Sequence, residues 1–148
     1  MNNAARENSV SALLVGISQG DRQLVEAIFR ESGWKLFDAR DRRGARHCLK
    51  RNSVHVVIAG TDTPDWDWKQ ILQDLRELEQ SPQLIIASRH ADDYLWAEAL
   101  NLGAYDVLSQ PFARDEVERV VASAGRHFEV KPKSVERHLL VAAVSSVA

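Results

Sequence analysis

Cysteine occurs once in this 148-residue chain, at Cys48, methionine once and proline four times. A single thiol excludes an intramolecular disulfide framework and fits a reducing compartment. Cys48 lies in a short helical stretch and reads as a small core-facing residue rather than a catalytic nucleophile. No apolar run approaches the roughly 20 residues that span a bilayer, and residues 1–9 are polar, without the apolar centre of a secretory signal. The expectation is a cytoplasmic protein with no membrane segment. A large charge excess is also missing: 21 acids face 19 bases, for a formal charge of −2. That balance argues against a nucleic-acid surface, and no direct nucleic-acid contact is expected. There is no G-x-G-x-x-G or Walker pattern. The five histidines show no i, i+4 ligand pair, so neither a cofactor nor a metal is expected. No internal repeat or low-complexity segment interrupts the chain.

What is present is the composition of a globular domain, 45 % hydrophobic and 27 % charged. Residues 1–10 read as a flexible tail. Residues 11–17 (SALLVGI) are a short apolar run suited to a strand buried on both faces. Residues 21–32 carry Leu24, Val25, Ile28 and Phe29 at helical spacing, and Gly33 is placed to end that helix in a left-handed cap. A second strand over 34–39 and a short helix over 42–51 follow, the latter turning Ala45, Cys48 and Leu49 inward. Residues 54–60 make a third strand. Trp68, Ile71, Leu72 and Leu75 mark a helix over 67–79, barred from continuing by Pro82. Residues 83–88 form a fourth strand, 92–102 a fourth helix stopped by Gly103, 105–108 a brief fifth strand and 113–128 a last helix. Residues 129–133 resemble a linker, and the apolar piece 136–148 can form one more short helix. Five strand–helix alternations imply an α/β, doubly wound, five-stranded parallel sheet in a three-layer sandwich, flavodoxin-like, with strand order 2-1-3-4-5. Its crevice lies beyond the carboxyl ends of strands 1 and 3.

Several spacings carry a family resemblance. HVVIAGTDTPDWDW (residues 55–68) is similar to D-L-V-L-L-D-x-x-M-P-x-M-D-G, and LGAYDVLSQPF (residues 102–112) is similar to L-G-A-x-D-Y-L-x-K-P-F. Val15-Gly16-Ile17 stands where the same family reads Val-Asp-Asp, and Ser88 lies 22 residues before Gln110. Over residues 11–128 the chain resembles the receiver domains of bacterial response regulators. The resemblance implies a site in which two acids after strand 1 and an aspartate ending strand 3 hold Mg²⁺, and that aspartate accepts a phosphoryl group. It also implies a lysine after strand 5 and a Thr or Ser ending strand 4 that contact the phosphoryl oxygens. Here the acid pair maps to Gly16 and Ile17, or to Ile17 and Ser18. The acceptor maps to Gly60, the hydroxyl to Ser88, the lysine to Gln110 and the switch aromatic to Val107. Three negative groups and one positive group vanish together, leaving a cleft that needs neither metal nor phosphate for charge balance. The expectation is a pseudo-receiver: no enzyme, with no catalytic residue, acting by protein–protein interaction in phosphorelay-type signal transduction.

Two other readings are open. Asp62, two residues past Gly60, is a candidate displaced acceptor, and the crevice near Ser18, Gly60 and Ser88 is a candidate small-ligand site. Against these stand a solvated turn, with Asp65 or Asp67 capping the next helix, and a plain capping turn at Ser18-Gln19-Gly20. The resemblance makes Gln110-Pro111 a candidate cis bond. For partners, a signalling protein or a second copy is expected on the face of helix 4, strand 5 and helix 5, with Tyr94, Trp96 and Val107 as candidate contacts. The helical wheel puts Tyr94 outward and places Trp96 and Leu100 with Leu95, Ala99 and Leu102 on the inner face. Trp66 is a further candidate contact at the crevice mouth. The basic run Arg40, Arg42, Arg43, Arg46, Lys50 and Arg51 reads as a solvated helix face.

Overall fold

The structure, a computed structural model, describes residues 9–64 and 66–128. The expected tail over most of 1–10, the linker and apolar segment over 129–148, and Asp65 as a possible cap lie outside the described residues.

The chain runs β1 (Ser11–Val15), α1 (Gln19–Ser32), β2 (Lys35–Ala39), α2 (Arg42–Arg51), β3 (Val56–Gly60), α3 (Trp68–Arg76), β4 (Gln83–Ser88), α4 (Asp93–Leu102), β5 (Asp106–Ser109) and α5 (Arg114–His127). All strand pairs are parallel and the order is β2-β1-β3-β4-β5, the doubly wound arrangement expected from the alternation. Period-two alternation sorts the strand side chains to two faces. Ala12, Leu14, Val56, Ile58, Ile85 and Ala87 pack with α1 and α5, whereas Leu13, Val15, Val57, Ala59, Leu84 and Ile86 pack with α2, α3 and α4. β1 and β3 are buried along their whole length. Each fully buried Leu or Ile contributes about 1.5–3 kcal/mol relative to exposure, so the centre of the sheet is the rigid base of the crevice. β2 is an edge strand and exposes Lys35 and Asp38, charges that discourage further strand pairing.

Most boundaries shift by one or two residues from the sequence expectation, for local reasons. β1 stops at Val15 because Gly16 turns to φ 64° and leaves extended geometry. α3 ends at Arg76, three residues before the expected end. The Glu77 and Leu78 N–H groups already bond back to Asp74 and Leu75 in tightened turns ahead of Pro82. Asp67 caps α3 in a reciprocal capping box with Gln70. Gly33, at φ 71°, supplies the left-handed cap of α1.

Candidate functional site

The carboxyl ends of β1 and β3 lie side by side, with Val15 paired to Ala59 and Gly60 paired onward to Ala87 of β4. The two loops that would shape a cleft there are pressed together. Gly16 donates its N–H to the Ala39 carbonyl at 3.1 Å, and its own carbonyl oxygen lies over Gly60. A Cβ built on Gly60 would come within 2.5 Å of that oxygen. Even alanine is therefore too large for the end of β3 unless the β1–α1 loop moves.

Gly16 is blocked from another side. A Cβ there would meet Thr63 Cγ2 at 2.7 Å and the Trp66 ring at 2.9 Å, at a φ that side chains rarely adopt. The Thr63 hydroxyl donates to the Trp66 carbonyl at 2.6 Å and fixes this loop. Trp66 is thus only 8 % exposed and belongs to the core on the α3 side. This corrects its assignment as a surface contact: the indole covers Gly16, where a carboxylate would leave no room for it. Ile17, the second mapped acid position, is buried in the other core layer with Leu14, Ile58 and Phe112. Ser18 stays exposed and donates its hydroxyl to Asp21 Oδ2 at 3.2 Å.

The polar survivors are engaged internally. Ser88 is 3 % exposed at the end of β4. Its oxygen accepts from the Thr61 hydroxyl at 2.9 Å and from the His90 N–H at 3.0 Å. The His90 ring itself is on an exposed loop residue. Gln110 follows β5 at a cis bond to Pro111, as the resemblance suggested. Its Nε2 donates to Asp21 Oδ2 at 2.8 Å, and the Phe112 N–H donates to Asp21 Oδ1 at 3.1 Å. Asp21 sits in the first turn of α1, where the helix dipole favours its negative charge. One carboxylate therefore ties the β5–α5 loop to α1. Sequence reading missed this latch, because Asp21 and Gln110 are 89 residues apart and no local pattern links them. It missed the Thr61–Ser88 bond for the same reason.

The mapped positions do not fit a divalent cation. Mg²⁺ takes hard oxygen ligands, with carboxylates as anchors, and the mapped positions offer glycine, isoleucine or serine, and glycine. Among the described residues no three His, Cys, Asp or Glu side chains gather in a metal-binding group. Asp62 is exposed on the loop beyond Gly60, and Asp67 is occupied as the α3 cap.

The structure revises the candidate partner face in two places. Val107 is 1 % exposed, because α4 covers that side of β5, so it is core and not a contact. The helical wheel puts Trp96, Leu100 and Leu102 inward, yet they are 37 %, 44 % and 37 % exposed, and Tyr94 is 80 % exposed. The inner face of α4 is narrower than expected: it centres on Ala99, with Leu95 packed beside it. Trp96, Leu100 and Tyr94 are each exposed outside that inner face.

Comparison with known proteins agrees with this architecture. The sequence signature described as response regulator receiver domain matches residues 13–122. The chain is 30 % identical over 102 residues to the transcriptional regulatory protein FixJ of Bradyrhizobium diazoefficiens, covering 69 % of this chain and 49 % of that protein. It is 27 % identical over 112 residues to the regulatory protein AtoC of Escherichia coli, covering 76 % of this chain and 24 % of that one. It thus spans half or less of the length of these relatives. The signal receiver domain of an HD domain-containing protein from Pseudomonas fluorescens superposes with a TM-score of 0.71 at 26 % identity, covering 80 % of this chain and 96 % of that one. With the sheet order, the cis bond after β5 and the matched span in agreement, the chain belongs to the response regulator receiver domain family of two-component signalling.

Proposed function

We propose that this chain is a receiver that does not take a phosphoryl group and signals by protein–protein contact alone. The observation that carries the reading is the contact between the Gly16 carbonyl and the end of β3, which leaves no volume for an acceptor side chain at position 60. The internal bonds reinforce it. The Thr61 hydroxyl occupies Ser88, and the Asp21 carboxylate engages Gln110 and the Phe112 amide. In a receiver that reacts, phosphoryl oxygens would contact the groups at positions 88 and 110. The loops after β4 and β5 are thus held in one arrangement without a phosphate, which suits a fixed docking unit in the cytoplasm rather than a switched one.

The docking face in this reading is the outer surface of α4, where Trp96 and Leu100 are exposed on one flank and Tyr94 on the other. Aromatic anchors of this kind dominate binding energy when a partner buries them. The partner is a signalling protein or a second copy of the chain. No catalytic role follows for any residue.

Titrating the isotope-labelled protein with Mg²⁺ and a beryllofluoride phosphoryl mimic tests the closed site. Amide shifts of Gly16, Gly60, Ser88 and Gln110 should stay fixed. A saturable shift at these positions would reinstate a working phosphorylation site, with Asp62 the first residue to examine.

A further inference from the structure

The second helix carries a surface that the receiver reading does not use. α2 (RRGARHCLKR) has no acidic residue, and Arg42 and Arg43 stand in its first turn. Arg42 is committed to Asp74 of α3 through a two-pronged pair of 2.8 and 2.9 Å. Arg43, Arg46, His47, Lys50 and Arg51 are exposed. None of them is ion-paired among the described residues. Asp41, the nearest acid, is spent on capping Gly44 N–H.

The spacing puts the cations Arg43, Arg46 and Lys50 on a single face, with the His47 imidazole beside them. Arg43 stands three residues before Arg46 and four before His47, and Arg46 stands four before Lys50. Residues so spaced lie above one another on a helix, and like charges there repel. A cation in the first turn also opposes the helix dipole. Lys50 and Arg51, in the last turn, are favoured by the dipole, so it is the repulsion between stacked cations that an external anion would relieve. Arg43, Arg46, His47 and Lys50 line an open depression of about 830 Å³ together with Arg42 and the capping Asp41.

We infer that this face binds an acidic segment of a partner protein. The charge balance of the rest of the molecule selects that occupant over a nucleic acid. Removing Arg40, Arg43, Arg46, Lys50 and Arg51 from a chain of formal charge −2 leaves −7. A long duplex that reached beyond the helix would meet this negative remainder. The face is also short, roughly 15 Å for a ten-residue helix, and no Phe, Tyr or Trp lines the depression for a base to stack on. A compact carboxylate-rich segment matches both its length and its arginine forks. The inference does not depend on the closed site at Gly60.

Fluorescence anisotropy with a labelled oligo-glutamate peptide tests it. A single-stranded oligonucleotide of equal formal charge and phosphatidylserine-containing vesicles are measured alongside. The variants are Arg43→Glu/Arg46→Glu/Lys50→Glu, the neutral Arg43→Gln/Arg46→Gln/Lys50→Gln, and Arg126→Glu as a reversal outside the face. Thermal melts confirm that each remains folded. The peptide should bind, with affinity falling on added salt, falling about tenfold or more in both triple variants, and unchanged in Arg126→Glu. No peptide binding, or binding indifferent to the triple variants, overturns the inference. Tighter binding of the oligonucleotide or the vesicles overturns the choice of an acidic protein segment.

Discussion

Glycine at position 60 has two consequences, one chemical and one steric. In the proposed reading the missing carboxylate removes the nucleophile, and in the structure the Gly16 carbonyl lies where a side chain at position 60 would begin. Gly60→Ala should therefore destabilise the fold by roughly 1–3 kcal/mol, the range for overpacking a rigid site, seen as a lower urea midpoint. An alanine variant as stable as the parent would show that the β1–α1 loop yields freely. Asp21 makes the opposite kind of test. Asp21→Ala strands the donors of Gln110 and Phe112 and should cost about 1–3 kcal/mol, with faster amide exchange at Phe112. His55 provides a pH test. Burial lowers its pKa from the ordinary 6.5, and Nδ1 accepts the Ser11 N–H at 3.3 Å. The folded form thus favours neutral imidazole, and the unfolded chain takes up the proton first as pH falls. Stability from this group is complete above about 6.5 and is lost as pH drops through the lower folded value. The acid side of the stability profile should be flatter in His55→Phe than in the parent.

Among the elements, legibility followed burial. β1, β3 and β4 were readable because strands covered on both faces are continuous apolar runs, and the amphipathic stripes of α1 and α5 were readable because one face alone is buried. α4 was harder. Its sequence (DYLWAEALNL) is apolar nearly all round, so periodicity could not say which side faces the sheet, and Trp96 was assigned to the wrong one. The buried state of Trp66 was equally illegible, since its indole packs over Gly16 only once the two loops meet, and that of Val107 depends on α4 covering β5. The outer face of α4 now makes its own prediction. Tyr94→Ser removes an 80 % exposed ring, so the melting temperature should barely move, while binding of the partner, or self-association measured by sedimentation, should weaken. A fall in stability with unchanged association would assign Tyr94 to folding instead.

At the scale of the whole molecule, the receiver fold is intact, and the mapped positions at the carboxyl end of its sheet are engaged in core packing and internal hydrogen bonds. The mapped positions Gly16, Gly60, Ser88 and Gln110 could be read from spacing along the chain. Their closure could not, because it rests on contacts between loops that are adjacent only after the sheet forms. The account holds that the site is filled and not merely short of an aspartate. Intact-mass analysis of the parent and of Gly60→Asp, each folded and incubated with acetyl phosphate and Mg²⁺, puts this at risk directly. Neither protein should gain the phosphoryl mass of about 80 Da expected of an acyl phosphate. A stoichiometric adduct on the parent would reveal a displaced acceptor, and one on Gly60→Asp would show that the site is open after all.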